Sequence, residues 1–174
     1  LVTLEGKHIY LRALEKEDLD FLYKLENSTA VWEISGTVTP YSKNVLELYL
    51  ENAHRDIYDV KQLRLVICNT DHKRIGLIDL FDFDPKNKRA GVGIIILDKS
   101  DRNHGAGFES LQILCAYAFK SLGLRQVYAN ILEENSASIH LFQKLGFERV
   151  GIKKDWIYSD GEYKNEVLFQ KIKH

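Results

Sequence analysis

Methionine is absent from this 174-residue chain, and cysteine occurs only twice. With no Met to open it, the chain's true start is expected to be processed away or to lie outside these residues. Cys68 and Cys115 both sit in apolar stretches, which argues against a disulfide framework and for buried thiols in a reducing compartment. No segment reads as a secretory leader, and no apolar run approaches the length that spans a bilayer, so a cytoplasmic protein without a membrane partner is expected. The net charge is −1, with no basic run and no zinc-ligand spacing, so neither a nucleic-acid partner nor a metal is expected. Internal repeats and low-complexity stretches are also missing. What remains is an ordinary composition, 45% hydrophobic and 28% charged, that fits one domain over residues 1–174 with a single core.

Charge is unevenly placed. Between Glu15 and Asp59 the acidic residues (Glu15, Glu17, Asp18, Asp20, Glu26, Glu33, Glu47, Glu51, Asp56, Asp59) outnumber the basic ones (Lys16, Lys24, Lys43, Arg55). This asymmetry has two readings, solvated helix faces or an acidic mouth that attracts a cationic amine.

Periodicity predicts a strand over His8–Ala13 and a helix over Lys16–Asn27, with Leu19, Leu22 and Leu25 on one side. Ser28–Tyr41, which contains Gly36 and Pro40, reads as an irregular substrate-facing segment. Ser42 is placed to cap a second helix running to about Tyr58, with Val45, Tyr49 and Ala53 inward. Gln62–Cys68, Arg74–Phe83 and Arg89–Leu97 read as an antiparallel meander joined by turn-rich segments. A third helix over Ala106–Leu122 buries Leu111, Leu114 or Cys115, Ala118 and Leu122, and Gly123 ends it. A fifth strand follows over Gln126–Leu132, then a fourth helix capped by Asn135 and stopped at Gly146. Arg149–Tyr158 and Glu162–Ile172 pair through Ser159-Asp160-Gly161, a hairpin signal.

The segment Arg102-Asn103-His104-Gly105-Ala106-Gly107 lies between the apolar run Gly93–Leu97 and the third helix. A strand, a glycine-bearing loop and a helix start aim unsatisfied N–H groups and the positive end of a helix dipole at one spot, which suits a phosphate or pyrophosphate. Gly105 and Gly107 allow close backbone approach, and Arg102 brings a charge to the loop's entrance. On its own such a loop is more often a plain turn.

Its companion is Asn135-Ser136-Ala137-Ser138-Ile139-His140-Leu141-Phe142-Gln143-Lys144-Leu145-Gly146-Phe147. Arg-x-x-Gly-x-Gly followed by Asn-x-x-Ser-Ile-x-Leu-Phe-x-Lys-Leu-Gly-Phe resembles the GCN5-related N-acetyltransferase (GNAT) superfamily, over nearly the whole chain from His8-Ile9-Tyr10-Leu11-Arg12 onward. It looks most like the branch of spermidine N-acetyltransferases and of acetyltransferases that modify ribosomal-protein N-termini. The resemblance implies an α/β (α+β) fold with a mixed central sheet of about seven strands, four helices and splayed central strands. It also implies transfer of an acetyl group from acetyl-coenzyme A, without a metal, to a primary amine. The acceptor is expected to be a small polyamine-like molecule or, alternatively, a peptide N-terminus. A homo-oligomer is possible in such a family.

By the same resemblance, Ile94, Ile95, Ile96 and Leu97 form the strand edge that bonds the pantetheine arm. Arg102, Asn103, His104, Gly105, Ala106 and Gly107 form the pyrophosphate loop, while Asn135 contacts the pantetheine or simply caps its helix. Two departures stand out. Where many relatives carry a Tyr that protonates the departing thiolate, this chain has Phe142, which lines the cofactor side but has no proton to give. Ser138, one helical turn earlier, shares its face and is one candidate donor. Otherwise the thiolate leaves unaided, or the chain is an acetyl-coenzyme A-binding module with little turnover. Where spermidine-type relatives carry an acidic residue, this chain has Gly91. The nearest acids are then Asp79, Asp82 and Glu33, with Asp79 expected on the same strand face as Phe81 and Phe83. His104 and His140 are acid–base candidates by residue type, but the fold explains both without catalysis.

Overall fold

A computed structural model describes residues 2–102 and 104–174. Its strands are β1 (Ile9–Ala13), β2 (Leu63–Asn69), β3 (Arg74–Asp84), β4 (Arg89–Ile96), β5 (Gln126–Leu132), β6 (Glu148–Ser159) and β7 (Glu162–Ile172). They form one seven-stranded sheet in the order β1-β2-β3-β4-β5-β7-β6. β2, β3 and β4 make the expected antiparallel meander. β6 and β7 turn through Asp160 and Gly161, both at positive φ, as a tight hairpin of this kind requires.

Successive residues of β2 and β3 point to opposite faces, and both faces are covered. On one, Leu65, Ile67, Ile78 and Leu80 pack with Leu111, Leu114 and Ala118 of α5 (Ala106–Lys120) and with Phe142 of α6 (Ser136–Lys144). On the other, Val66, Cys68 and Leu77 meet Leu22 and Leu25 of the helix Leu19–Glu26 (α1) and Leu46 of the helix Lys43–Glu51 (α3). Both cysteines are free and buried.

The central strands splay. β4 pairs in parallel with β5 only at Arg89–Gly91 against Gln126–Tyr128. Beyond Gly91, β4 stays on β3 as far as Ile96, while β5 follows β7 to Leu132. A gap therefore opens between them.

Several elements differ from expectation. Among the described residues there are six α-helices rather than four. The segment read as irregular contains α2 (Thr29–Ser35), which ends where Gly36 takes φ 72. Only Val31 of α2 is buried, so it carries no stripe for periodicity to detect. The first predicted helix opens as a 3-10 turn over Lys16–Asp18, because the buried Asp18 carboxylate accepts the Glu15 N–H at 2.7 Å. Ser42 caps α3 as expected, accepting from the Val45 N–H at 3.2 Å. The helix stops at Asn52, however, and Asp56 caps a separate short helix, α4 (Ile57–Val60). Its inward stripe is Leu46, Tyr49 and Leu50, leaving Val45 and Ala53 exposed.

Candidate active site

A cavity of about 410 Å³ occupies the gap between β4 and β5. Val92, Gly93, Ile94 and Ile95 of β4 face Ala129–Leu132 of β5 across it. Asn135, Ser138 and Phe142 close it on the α6 side, and Glu26, Glu33, Arg64, Asp79 and Phe81 line the other. Peptide groups on the free stretch of β4 lack a neighbouring strand there, so an extended amide-bearing ligand is able to add as one. Of the expected strand edge, Ile94 and Ile95 line the cavity, while Ile96 and Leu97 lie beyond it, near the loop.

The Ile96 carbonyl accepts from Arg102 Nε and Nη2 at 3.1 and 3.0 Å, and the Leu97 carbonyl lies 3.5 Å from Nη2. Arg102 thus ties the loop to the strand end. Gly105 occupies the N-cap of α5 at φ 80, a conformation other residues adopt only under strain, and no side chain among the described residues caps that helix. A Cβ on Gly107 would sit 3.3 Å from Leu141 Cδ2, so the missing side chain also lets α5 and α6 approach. His104 is exposed and Ala106 buried, and Asn103 lies outside the described residues. An uncapped helix start with glycines on both sides of its first residue fits a phosphate-bearing group.

Asn135 accepts the Ser138 N–H at 3.2 Å and so caps α6 while lining the cavity. Phe142 is 4% exposed and packs edge-on against Phe147, ring centres 5.0 Å apart.

On the acceptor side, Asp79 is not solitary. It is the cross-strand partner of Arg64, whose Nε and Nη2 donate to its two oxygens at 3.0 and 3.2 Å. Nη1 donates to Glu26 at 2.8 Å, and the guanidinium lies 5.8 Å from the Tyr49 ring centre. Burial opposes the charge on Arg64, but Asp79, then Tyr49 and Glu26, outweigh it and keep the guanidinium protonated. Burial pushes the Tyr49 hydroxyl up, with Arg64 pulling the other way. Glu33 bonds Lys164, which also bonds Glu134. That ammonium, with help from Ser159, holds Glu33 below the usual carboxylate range.

The local charge count over Glu15–Asp59 therefore overstates the free acidity. Asp18 is paired with Arg12 and Arg74, Glu26 with Arg64 and Glu33 with Lys164, all cations from outside that segment. Asp79 shares its face with Phe81 but not with Phe83. Asp82 takes φ 47, the alternation breaks, and Phe83 turns into the opposite core with Ile78 and Leu80. Asp82 itself is exposed. At Gly91 a Cβ would lie 2.3 Å from the Phe81 ring, so this ring occupies the space of the expected acidic side chain.

Arg64 and Lys164 were not anticipated, and Glu26 only as one member of the acidic N-terminal third. Arg64 carried a usable signal, a lone cation inside the apolar strand Leu63–Ile67. A regular count outward from the turn would oppose it to Ile78; the register shift between Ile67 and Cys68 is what brings it opposite Asp79.

A sheet split between its parallel strands, with a glycine loop opening a helix at the end of one of them, defines an acetyltransferase of the GNAT type. Residues 8–148 match the Acetyltransferase (GNAT) domain family, and the chain belongs to it. It is similar to the spermidine N(1)-acetyltransferase of Escherichia coli K12, 28% identical over 166 residues that cover 95% of this chain and 87% of the relative. The corresponding enzyme of Vibrio cholerae is 30% identical over 164 residues, covering 92% and 90% of the two chains. Among solved structures, spermidine N-acetyltransferase from Vibrio cholerae in complex with CoA and spermine superposes with a TM-score of 0.85, at 25% identity over 94% of this chain and 95% of that one. No helix among the described residues is long and apolar enough to cross a membrane.

Proposed function

We propose that this GNAT N-acetyltransferase moves an acetyl group from acetyl-coenzyme A to the primary amine of a small, cationic, polyamine-like acceptor. The observation that carries the reading is the cavity between β4 and β5, with Ser138 and Phe142 on one side and the carboxylates of Glu26 and Asp79 on the other. The relative from Vibrio cholerae, solved with CoA and spermine, supports the same pairing of donor and acceptor class.

When bound, acetyl-coenzyme A supplies an acetyl thioester, whose C–S bond is replaced by a C–N bond as the amine loses a proton. The free stretch of β4 would hold the amide-bearing arm, and the start of α5 the phosphates. A free β4 N–H would stabilise the carbonyl oxygen as charge develops on it. Ser138, which lines the cavity, would give a proton to the sulfur, a role Phe142 cannot fill. Glu26, Glu33 and Asp79 attract the acceptor's ammonium and receive the proton it gives up, directly or through water.

Coenzyme A release measured over diamines, spermidine, aminoglycosides and N-terminal peptides tests this. Turnover with small polycationic amines is expected. Turnover confined to peptides would move the acceptor to a protein α-amine. Coenzyme A binding without release over the whole panel would make the chain a binding module.

A further inference from the structure

Arg64 stands between two cavities. One is the space of about 410 Å³ beside Asp79, and the other, of about 210 Å³, lies among Leu22, Tyr41, Leu46 and Tyr49. Glu26, Ser35 and Arg64 line both. The guanidinium uses all three of its nitrogens on Asp79 and Glu26. Its side chain is only 22% exposed, and those of Glu26 and Asp79 are 11% and 21% exposed. This partition is thus a half-buried cluster of two carboxylates and one built-in cation. Of the other carboxylates on the larger cavity, Glu166 pairs with Lys153, and Glu33 shares Lys164 with the exposed Glu134, so the cluster around Arg64 is counted by itself.

The charge count has a consequence for the acceptor. Two carboxylates less one guanidinium leave a surplus of one negative charge. An acceptor must present its reacting amine neutral, so the surplus matches one further ammonium. A diamine brings one. Spermidine brings two and spermine three, and their additional ammoniums compete with Arg64 for the same oxygens. Like charges forced together in a partly desolvated site are costly, which turns this competition into selectivity.

We propose that Arg64 sets acceptor specificity by standing in for the distal ammonium of a longer polyamine, so that the enzyme prefers diamine acceptors to spermidine and spermine. Removing the guanidinium vacates the carboxylates and opens the way to the second cavity. This rests on the proposed acetyl transfer to small amines.

The test is kcat/KM for 1,4-diaminobutane, spermidine and spermine in the wild-type protein, Arg64→Met and Arg64→Lys. Wild type is expected to favour the diamine. Arg64→Met is expected to raise the ratio of spermine to diamine by about tenfold or more, mainly through the KM for spermine, while Arg64→Lys keeps the wild-type ratio. Glu26→Gln is the second variant, because it retains the Asp79–Arg64 pair and removes the surplus charge. It is expected to raise the diamine KM about tenfold. A ratio unmoved by Arg64→Met, an equal shift in Arg64→Lys, or an unchanged KM in Glu26→Gln would overturn the assignment while acetyl transfer to amines stands. Should Arg64→Met fail to fold, the spermine-to-diamine ratio in Arg64→Gln, which keeps a polar side chain and removes the charge, decides. Coenzyme A binding with no amine acetylated by wild type would instead sink the function and this inference with it.

Discussion

Gly91→Ala is the sharpest probe of why this chain lacks a carboxylate in the middle of β4. The added methyl meets Phe81 Cε2 and Cζ at 2.3 Å and Cδ2 at 2.8 Å, far inside van der Waals contact. Phe81 is not free to retreat without loss, since its ring packs edge-on against Tyr128 with centres 6.0 Å apart. Overpacking of this kind costs about 1–3 kcal/mol. In a protein of this size that corresponds to a fall of roughly 2–12 °C in Tm. The obstacle is a side chain, so the cost has a specific suppressor. In Phe81→Ala the three atoms nearest a methyl at position 91 are gone. A double-mutant cycle by urea denaturation should then show coupling of about 1 kcal/mol or more, with the pair less destabilised than the sum of the single changes. Gly76→Ala is the internal control. There the obstacle is the Ile95 carbonyl oxygen at 2.2 Å, which belongs to the backbone, so no side-chain truncation should rescue it. Additive effects at Gly91 and Phe81, or an unchanged Tm in Gly91→Ala, would refute the steric account.

Three further outcomes are expected. Gly107→Val should abolish most coenzyme A affinity in a folded protein, because the side chain crowds Leu141 and the start of α5; unchanged calorimetric affinity would refute the loop assignment. Asp18 is fully buried, and although burial raises its pKa, bonds from Arg12, the Glu15 N–H and Arg74 bring it from 3.8 to about 2. A depressed carboxylate stabilises the fold above its unfolded pKa, so about 2–2.5 kcal/mol should be lost as pH falls from about 5 towards 2, and urea melts of Asp18→Asn should lack that part of the slope. Ser138→Ala should lower single-turnover acetyl transfer, by no more than about 10²–10⁴, with coenzyme A affinity unchanged, and Phe142→Tyr should restore part of the loss. A silent Ser138→Ala would remove that hydroxyl from the mechanism.

The order of the strands and the two long cofactor-side helices were legible because their patterns are strong. Leu111, Leu114 and Ala118 repeat at helical spacing, and Asn135 and Gly146 mark the ends of α6. α2 was illegible for the converse reason, since a seven-residue helix with Val31 alone buried has no stripe. The glycine loop could be located, but whether Arg102 reaches outward or back to Ile96 depends on the end of β4, which no local pattern encodes. The acceptor side was read least well. Its charges are set by pairs distant in sequence, Glu26 with Arg64 and Glu33 with Lys164, and a count along the chain sees only one member of each. Asp79 stood out as an odd charge in an apolar strand, while its partner, an equally odd charge in the neighbouring strand, was passed over.

The three-residue seam between β4 and β5 also bears on how the molecule holds together. It leaves the sheet as two ladders, β1 to β4 and β5 to β7, with few direct rungs between them. An extended ligand in the gap would supply such rungs, so occupancy and cohesion become one quantity. At a ligand concentration a hundred times its Kd, binding only to the folded form adds about 2.7 kcal/mol. Those amides of Val92–Ile96 that face the gap rather than β3 would then exchange with deuterium quickly in the free protein and slowly in the loaded one, reporting the donor's arrival from inside the sheet.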